Sequence, residues 1–264
     1  VLITGASGGI GRELAYLFAA DKYDLVLLAR NGEVLKELAQ EIEGRCGNRC
    51  DFLACDLSKP GVVAEISSYL EFNRLRIDIL VNNAGAGTFG LFRENPIEDD
   101  LRIINLNIVS LVSLTKLLLP SMVNRREGLI MNIASVAGFA PGPMMAVYYA
   151  SKAFVLSFSE ALEREIRSNG VRVITVCPGP TETGFQKSAN IEYFKNGDRQ
   201  LPSAKAVAVE SYRAITRRRS LVITGVRNRV LVFLMRFVPR NLLVFAVYRN
   251  QLNRMKKKQK QNEK

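Results

Sequence analysis

The chain opens on VLITGASGGIG, a β-branched run that breaks into a glycine-rich turn and leads directly into a helical pattern. Strand, turn and helix in that order limit the architectures open to the chain, and the same order then recurs along most of its length. "DLVLLAR" precedes a helix across 32–44, "DFLACD" precedes a helix after Pro60, and "IDILVNNAG" precedes a long helix across about 100–119. "GLIMNIAS" comes before a helix that runs through "AVYYASKAFVLSF" to about Ser168, and the strands "VRVITVCPG" and one near "SLVITG" follow. Short apolar runs that alternate with amphipathic segments require parallel strands joined by crossover helices.

The expected fold is therefore α/β: a Rossmann-type, doubly wound, seven-stranded parallel sheet with helices on both faces, in a single domain. The length of 264 residues suits one such unit. Sheets of this kind bind ligands beyond the carboxyl ends of their strands, and every motif below falls at such an end or on the helix after it. The nucleotide-binding and catalytic unit is expected over 1–225, with an apolar helical segment and basic tail over 226–264. Residues 184–205 break the rhythm with mixed polar and aromatic composition. They read as a lid or substrate loop, with a plain disordered connection as the alternative.

Charge separates the two parts. Residues 1–212 hold 22 Lys+Arg against 24 Asp+Glu, whereas 213–264 hold 15 against one. A near-neutral body argues against nucleic acid as a partner, since a nucleic-acid reader carries its basic residues on the fold itself. The basic end reads as a solvated tail or as a contact with an anionic surface. Cys46, Cys50, Cys55 and Cys177 occur without histidine and without paired CxxC motifs, so no metal site is expected, and the thiols are expected reduced in a cytoplasmic-type compartment. The chain starts inside a strand-like run without an initiator methionine, so whether a segment precedes it, and with it any leader or anchor, is left open.

In the first turn, Gly5, Gly9 and Gly11 permit a tight bend and close approach of backbone to a pyrophosphate, whose charge the helix N-terminus meets. At the end of the second strand, where an NAD site places a carboxylate against the ribose, the chain has Ala29 and Arg30. An arginine there pairs with a 2′-phosphate, which favours NADP(H), with Arg12 as an assistant; the competing reading is a surface arginine. Asp56 ends the third strand, either accepting from an adenine amino group or capping the next helix. In "NNAG", Asn83 can tie loops while Ala84 and Gly85 let the cofactor pass. Lys152 lies one helical turn from both Tyr148 and Tyr149, and spacing alone does not choose between them. An ammonium beside a phenol favours the phenolate and makes it a usable acid and base.

These segments resemble the short-chain dehydrogenase/reductases in their single-domain form: "TGASGGIG", "NNAG", "NLNIVS", "NIAS", "YYASK" and "PGPTET" appear in order over about 1–183. The resemblance implies that Tyr148 and Lys152 form the family's Tyr-x-x-x-Lys pair, leaving Tyr149 to packing. It implies that Ser135 holds the substrate oxygen and that Asn107 positions a water in a proton relay, with Asn105 as a rival. The cofactor-facing set it implies comprises Gly5, Ser7, Gly9, Ile10, Gly11, Arg30, Asp56, Leu57, Asn83, Ala84, Gly85, Tyr148, Lys152, Pro178, Gly179, Thr181 and Thr183. The implied activity is hydride transfer between NADP(H) and a small-molecule ketone or secondary alcohol, by an enzyme that forms a homodimer or homotetramer. "LTKLLLPSM" and "GLIMNIASVAG" are most similar to the branch of 17β-hydroxysteroid and 3-oxoacyl reductases, which implies a lipophilic substrate. The alternative is a non-catalytic NADP-binding regulatory or scaffolding protein.

Residues 230–248 are apolar enough to suggest a membrane span, but Arg236, Pro239 and Arg240 sit in the middle, where charge is costly. Two short amphipathic helices at a membrane interface are one expectation, making the chain cytoplasmic with peripheral membrane contact. Packing of this segment on the body or on a second subunit is the other.

Overall fold

The computed structural model describes residues 1–189 and 201–262. Seven strands form one sheet: β1 Leu2–Thr4, β2 Leu25–Ala29, β3 Cys50–Ala54, β4 Ile79–Asn82, β5 Gly128–Ile133, β6 Val171–Cys177 and β7 Leu221–Ile223. Their order is β3-β2-β1-β4-β5-β6-β7, and every pairing is parallel. This is the doubly wound sheet expected from the alternating pattern. Strand direction of travel reverses between β1 and β4, and that switch point opens a crevice at their carboxyl ends.

The period of two along each strand separates two cores. Ile3, Leu25, Leu27, Val81, Met131 and Ile174 face one layer, packing with Leu14 and Phe18 of α1 (Gly9–Ala20) and Leu35 and Leu38 of α2 (Gly32–Cys46). Leu2, Val26, Leu28, Leu80, Ile130 and Val173 face the other, packing with Ile66 of α3 (Val62–Phe72) and Leu114 and Met122 of the long helix. Because both faces are covered, the strands read as nearly unbroken apolar runs.

The long helix expected over 100–119 is continuous over Ile97–Arg125 but not uniform. It comprises α4 (Ile97–Ile104), a π-helical turn at Asn105–Val109 and α5 (Ser110–Arg125). The helix runs on past the expected end near 119 and through Pro120. Proline removes one intrahelical bond, yet Leu118 and Met122 on either side are buried in the core, and that packing carries the helix on to Arg125. By length and composition this helix could cross a membrane; here its apolar residues supply the sheet-facing layer.

The remaining elements are α6 (Ala146–Ile166), α7 (Phe185–Ser188), α8 (Ala204–Thr216), α9 (Val226–Met235) and α10 (Arg240–Asn262). Of the expected 184–205 loop, α7 occupies the start, α8 begins at Ala204, and residues 190–200 lie outside the described residues. Its base is closed by Glu182, whose N–H donates to Pro202 O at 2.9 Å. The C-terminal segment is two helices as expected, but α10 is long, at 23 residues.

Candidate active site

The switch-point crevice is built by three chain segments that hydrogen bonds lock together. Thr4, at the end of β1, accepts at Oγ1 from the N–H groups of Asn83 and Ala84, both at 2.9 Å, and its own hydroxyl donates to Val81 O at 3.2 Å. Asn83 Nδ2 donates back to Thr4 O at 2.9 Å and Gly5 O at 3.2 Å. The turn after β1 is thereby fixed against the turn after β4. Beneath it runs a buried polar chain: Asn82 Nδ2 donates to Asn132 Oδ1 at 2.9 Å, and Asn132 Nδ2 to Ser159 Oγ at 2.8 Å.

The glycine turn leaves no room for side chains. Gly5 has φ +65°, and a Cβ there would stand 3.0 Å from Ala84 Cα; a Cβ on Gly11 would stand 2.5 Å from Gly5 O. Gly9 has φ +55°, and its vacant Cβ position faces Thr183 Cγ2 at 3.2 Å. With Gly8 as N-cap, the first turn of α1 begins here with its backbone N–H groups free of intrahelical partners. Ser7 and Ile10 lie half-buried on this turn. A cradle that a Cβ would fill, at a helix N-terminus, fits the pyrophosphate of a dinucleotide.

At the adenosine end, Arg30 is exposed just beyond β2. Asp56 Oδ1 accepts from Ser58 N at 3.0 Å and Ser58 Oγ at 2.7 Å, while Gly61 takes the N-cap of α3, so Asp56 folds a local turn rather than capping the helix. Burial opposes ionisation of its carboxyl. The Ser58 bonds and the charges of Arg30 and Lys59 outweigh this and hold it below the usual range. Leu57 is buried in the core behind it. Arg12 is engaged elsewhere: its guanidinium bonds Tyr16 at 3.0 Å and Glu41 at 3.3 Å.

At the nicotinamide end, β5 leads to Ser135, which caps a 3₁₀ turn at Val136–Phe139. Ser135 Oγ accepts from Ala137 N at 3.1 Å and donates to Pro178 O at 3.3 Å. The same hydroxyl neighbours the Tyr148 phenol and pulls its pKa downward. From the second turn of α6, Lys152 runs back to the sheet, where its buried ammonium donates to Ile133 O at 2.8 Å. A Cβ on Gly85 would lie 3.4 Å from that ammonium and 3.5 Å from Asn107 Oδ1. Asn107 sits in the π-helical turn. Its Oδ1 accepts from Ala86 N, and its Nδ2 donates to Ala86 O and Ser151 Oγ, all at 2.9 Å. Ser151 Oγ donates to Tyr148 O at 2.7 Å. Pi turns widen a helix locally and turn one side chain inward, and here that side chain is Asn107. Asn105, on the same turn, stays half-buried.

Pro178 is tied to Ser135, and Gly179 accepts from Thr181 Oγ1 at 2.9 Å while abutting Asn228. The segment after β6 therefore closes the crevice opposite Gly85. The structure brings Gly85, Asn107, Ser135, Tyr148 and Lys152 to one place. Arg30, Asp56 and Leu57 stand apart at the ends of β2 and β3.

One expectation fails. Lys152 was expected to favour the Tyr148 phenolate, yet the phenol is pushed up to about 12. Removal from water dominates, Ser135 pulls the other way, and Tyr149 adds to the rise. Burial also lowers Lys152 to about 8. With its ammonium committed to Ile133 O, the lysine acts on the strand end rather than on the phenol.

Several residues at the site were not singled out in the sequence. Gly87 lets the Tyr148 ring and Phe185 pack over it: a Cβ there would meet Phe185 at 2.9 Å and Tyr148 at 3.1 Å. Met144 is buried with φ +65° just before α6. Phe89, Met144, Met145 and Ala189 cluster with Tyr148 and Tyr149, and Leu252 and Met255 of α10 join them. Tyr149 packs as expected, with the buried Gln251 of α10 as its polar neighbour.

Residues 1–193 match the family model of the short chain dehydrogenases. The chain belongs to that family. Among curated relatives it is 36% identical over 199 residues to mouse 17-beta-hydroxysteroid dehydrogenase type 3, covering 75% of this chain and 65% of the relative. It is 36% identical over 174 residues to the very-long-chain 3-oxoacyl-CoA reductase of Laccaria bicolor, covering 65% and 52%. The match falls in the hydroxysteroid and oxoacyl reductase branch, and the chain spans about three-fifths of the length of these relatives. Among solved structures, a short-chain dehydrogenase from Sphingobium yanoikuyae in complex with NADPH superposes with a TM-score of 0.80 at 35% identity, over 85% of this chain and 87% of that one. Another solved neighbour carries NAD.

Proposed function

We propose that the chain is an NADP(H)-dependent oxidoreductase that reduces a lipophilic ketone, or oxidises the corresponding secondary alcohol, with a 3-oxoacyl or steroid-like substrate. The observation that carries the reading is the convergence of Ser135, at the carboxyl edge of β5, with the Tyr148 phenol beside it, while Asn107 is tied through Ser151 to Tyr148 O and the buried Lys152 is bonded to Ile133 O. The bound dinucleotide would supply the hydride. Gly5, Ser7, Gly9, Ile10 and Gly11 with Thr183 would hold its phosphates, Arg30 a 2′-phosphate, and Asp56 and Leu57 its adenine side. Asn83, Ala84, Gly85, Pro178, Gly179 and Thr181 would line the route to the nicotinamide.

A phenol raised to about 12 is fully protonated at neutral pH, which suits donation of a proton to a carbonyl oxygen and hence the reductive direction. Ser135 would donate a hydrogen bond to the same oxygen as charge develops on it. Asn107, bonded through Ser151 to the Tyr148 carbonyl, would hold the start of α6 in place and order a water behind Lys152. Lys152 would shift part of its bonding from Ile133 O to the nicotinamide ribose.

The substrate pocket is apolar at its rim, where Phe89, Met144, Met145 and Phe185 meet. Residues 1–225 form the cofactor and catalytic unit in this reading, with 184–205 as the substrate loop. The exposed Leu101, Val109 and Phe154 on α4–α6 support self-association as a homodimer or homotetramer. Four free thiols, three of them buried, support a reducing compartment.

The test is NADPH consumption over ketones graded by chain length and ring size, run beside NADH. Turnover that rises with apolar size supports the reading. Tight NADPH binding with no turnover anywhere on the panel would instead support a cofactor-binding regulatory protein.

A further inference from the structure

The surface of α9 and the first half of α10 is unlike that of the rest of the molecule. Of α9, only Val232 is buried among the described residues, although seven of its ten positions carry apolar side chains. Leu231, Phe233, Leu234, Phe237, Leu242 and Phe245 are between 46% and 71% exposed. An exposed patch of this density on a soluble domain marks a contact site. Arg227, Arg229, Arg236, Arg240 and Arg249 are interspersed with it and are also exposed.

Charge selects the occupant. Residues 213–264 carry 15 cations against one acid. A second copy seated on this surface by a two-fold axis would bring the same cations face to face, and the body of another copy carries no net negative charge large enough to offset them. An anionic lipid surface satisfies both parts at once: apolar side chains enter the headgroup and acyl boundary while arginines meet the phosphates. A simple span is excluded by Arg236, Pro239 and Arg240 in its centre.

The second half of α10 leads inward. Gln251 is 1% exposed and neighbours Tyr149, while Leu252 and Met255 pack into the cluster around Tyr148. Beneath the α9–α10 junction lies a groove of about 660 Å³ between the 138–143 loop and α6, lined by Pro141, Gly142, Tyr149 and Ala153, with Arg240 as its charged member. Tyr149 therefore stands between this groove and Tyr148, whose ring centroid is 5.9 Å away.

We infer that α9 and the first half of α10 dock the protein on an anionic lipid bilayer, and that docking sets the mouth of the groove beneath Arg240 against the lipid, so that lipophilic substrate enters from the membrane past Tyr149. The first clause stands without the proposed activity; the second rests on it.

The experiment co-sediments the 264-residue chain with phosphatidylcholine vesicles and with vesicles containing phosphatidylserine. Wild type is expected to pellet with the anionic vesicles and to stay largely in the supernatant with the neutral ones. Phe233→Glu/Phe237→Glu, at exposed positions, is expected to abolish pelleting while keeping NADPH binding and reduction of a short soluble ketone. Arg227→Gln/Arg236→Gln is expected to lower partitioning by about fivefold per cation, and it tests docking if the phenylalanine variant fails to fold. In the presence of anionic vesicles, KM for a long-chain ketone should be lower for wild type than for the phenylalanine variant, with no difference in their absence. Wild type that remains in the supernatant, or variants that pellet like wild type, would overturn docking; so would a phenylalanine variant whose oligomeric mass falls, which would assign the patch to a second copy. Equal KM values with vesicles present would overturn entry from the lipid. A chain that pellets yet reduces no ketone would reject the proposed activity and leave docking in place.

Discussion

Replacing Asn107 by alanine should uncouple the two halves of the site. The side chain is 2% exposed and its amide satisfies both backbone groups of Ala86, donating to one and accepting from the other, besides bonding Ser151. Truncation leaves an N–H and a C=O of Ala86 buried without partners, and each such group costs about 1–3 kcal/mol. Ser151 keeps its bond to Tyr148 O and loses only a donor, so the expected destabilisation is about 2–6 kcal/mol. Urea unfolding followed by circular dichroism measures it as a lower midpoint at unchanged slope, since the fold and its buried surface are retained. Asn107→Asp keeps the bond from Ala86 N–H but sets a carboxylate against Ala86 O, so it should be as damaging or worse. A loss below about 1 kcal/mol for Asn107→Ala would mean that Ala86 finds other partners, and the tie between the β4 loop and α6 would be wrong.

Arg30→Asp removes the proposed phosphate partner and adds a repelling carboxylate; NADPH affinity by fluorescence titration should fall roughly 10–100-fold with NADH affinity kept, and an unchanged NADPH affinity would make Arg30 a surface residue. Lys152 sits at about 8 while Tyr148 sits at about 12, so NADPH binding and ketone reduction should hold steady below pH 8 and weaken as pH rises through it, with the phenol still protonated. Lys152 also has a signature in stability. Its ammonium is lost from the folded chain before the unfolded one, so between about 8 and the ordinary value of 10.5 the unfolded state holds more protons and this group's contribution to stability rises with pH.

The sheet and its order of elements were readable because each strand is buried on both faces and each helix on one, which writes two different periods into the chain. Side-chain cooperation between distant segments was not. Nothing local distinguishes Asn107 from Asn105; a π turn at Asn105–Val109 does so, and it depends on what packs around the helix. The helix expected to end near 119 runs on through Pro120 because the core packs on either side of it. Arg12 looked free for a phosphate until α2 placed Glu41 beside it. Tyr148 and Tyr149 are equally spaced from Lys152, and three-dimensional neighbours separate them: Ser135 for the first, Gln251 from a helix about a hundred residues away for the second. The raised phenol was hidden for the same reason, since burial outweighs a cation whose hydrogen bond is directed at Ile133.

The role of the Tyr148 hydroxyl is the centre of the account, and Tyr148→Phe isolates it, because the ring keeps its packing against Gly87 and Phe185. Turnover of an established ketone should fall by about 10²–10⁴-fold, the range general acid catalysis supplies, while the NADPH dissociation constant stays near that of wild type. Near-native turnover in this variant, with cofactor bound, would contradict it.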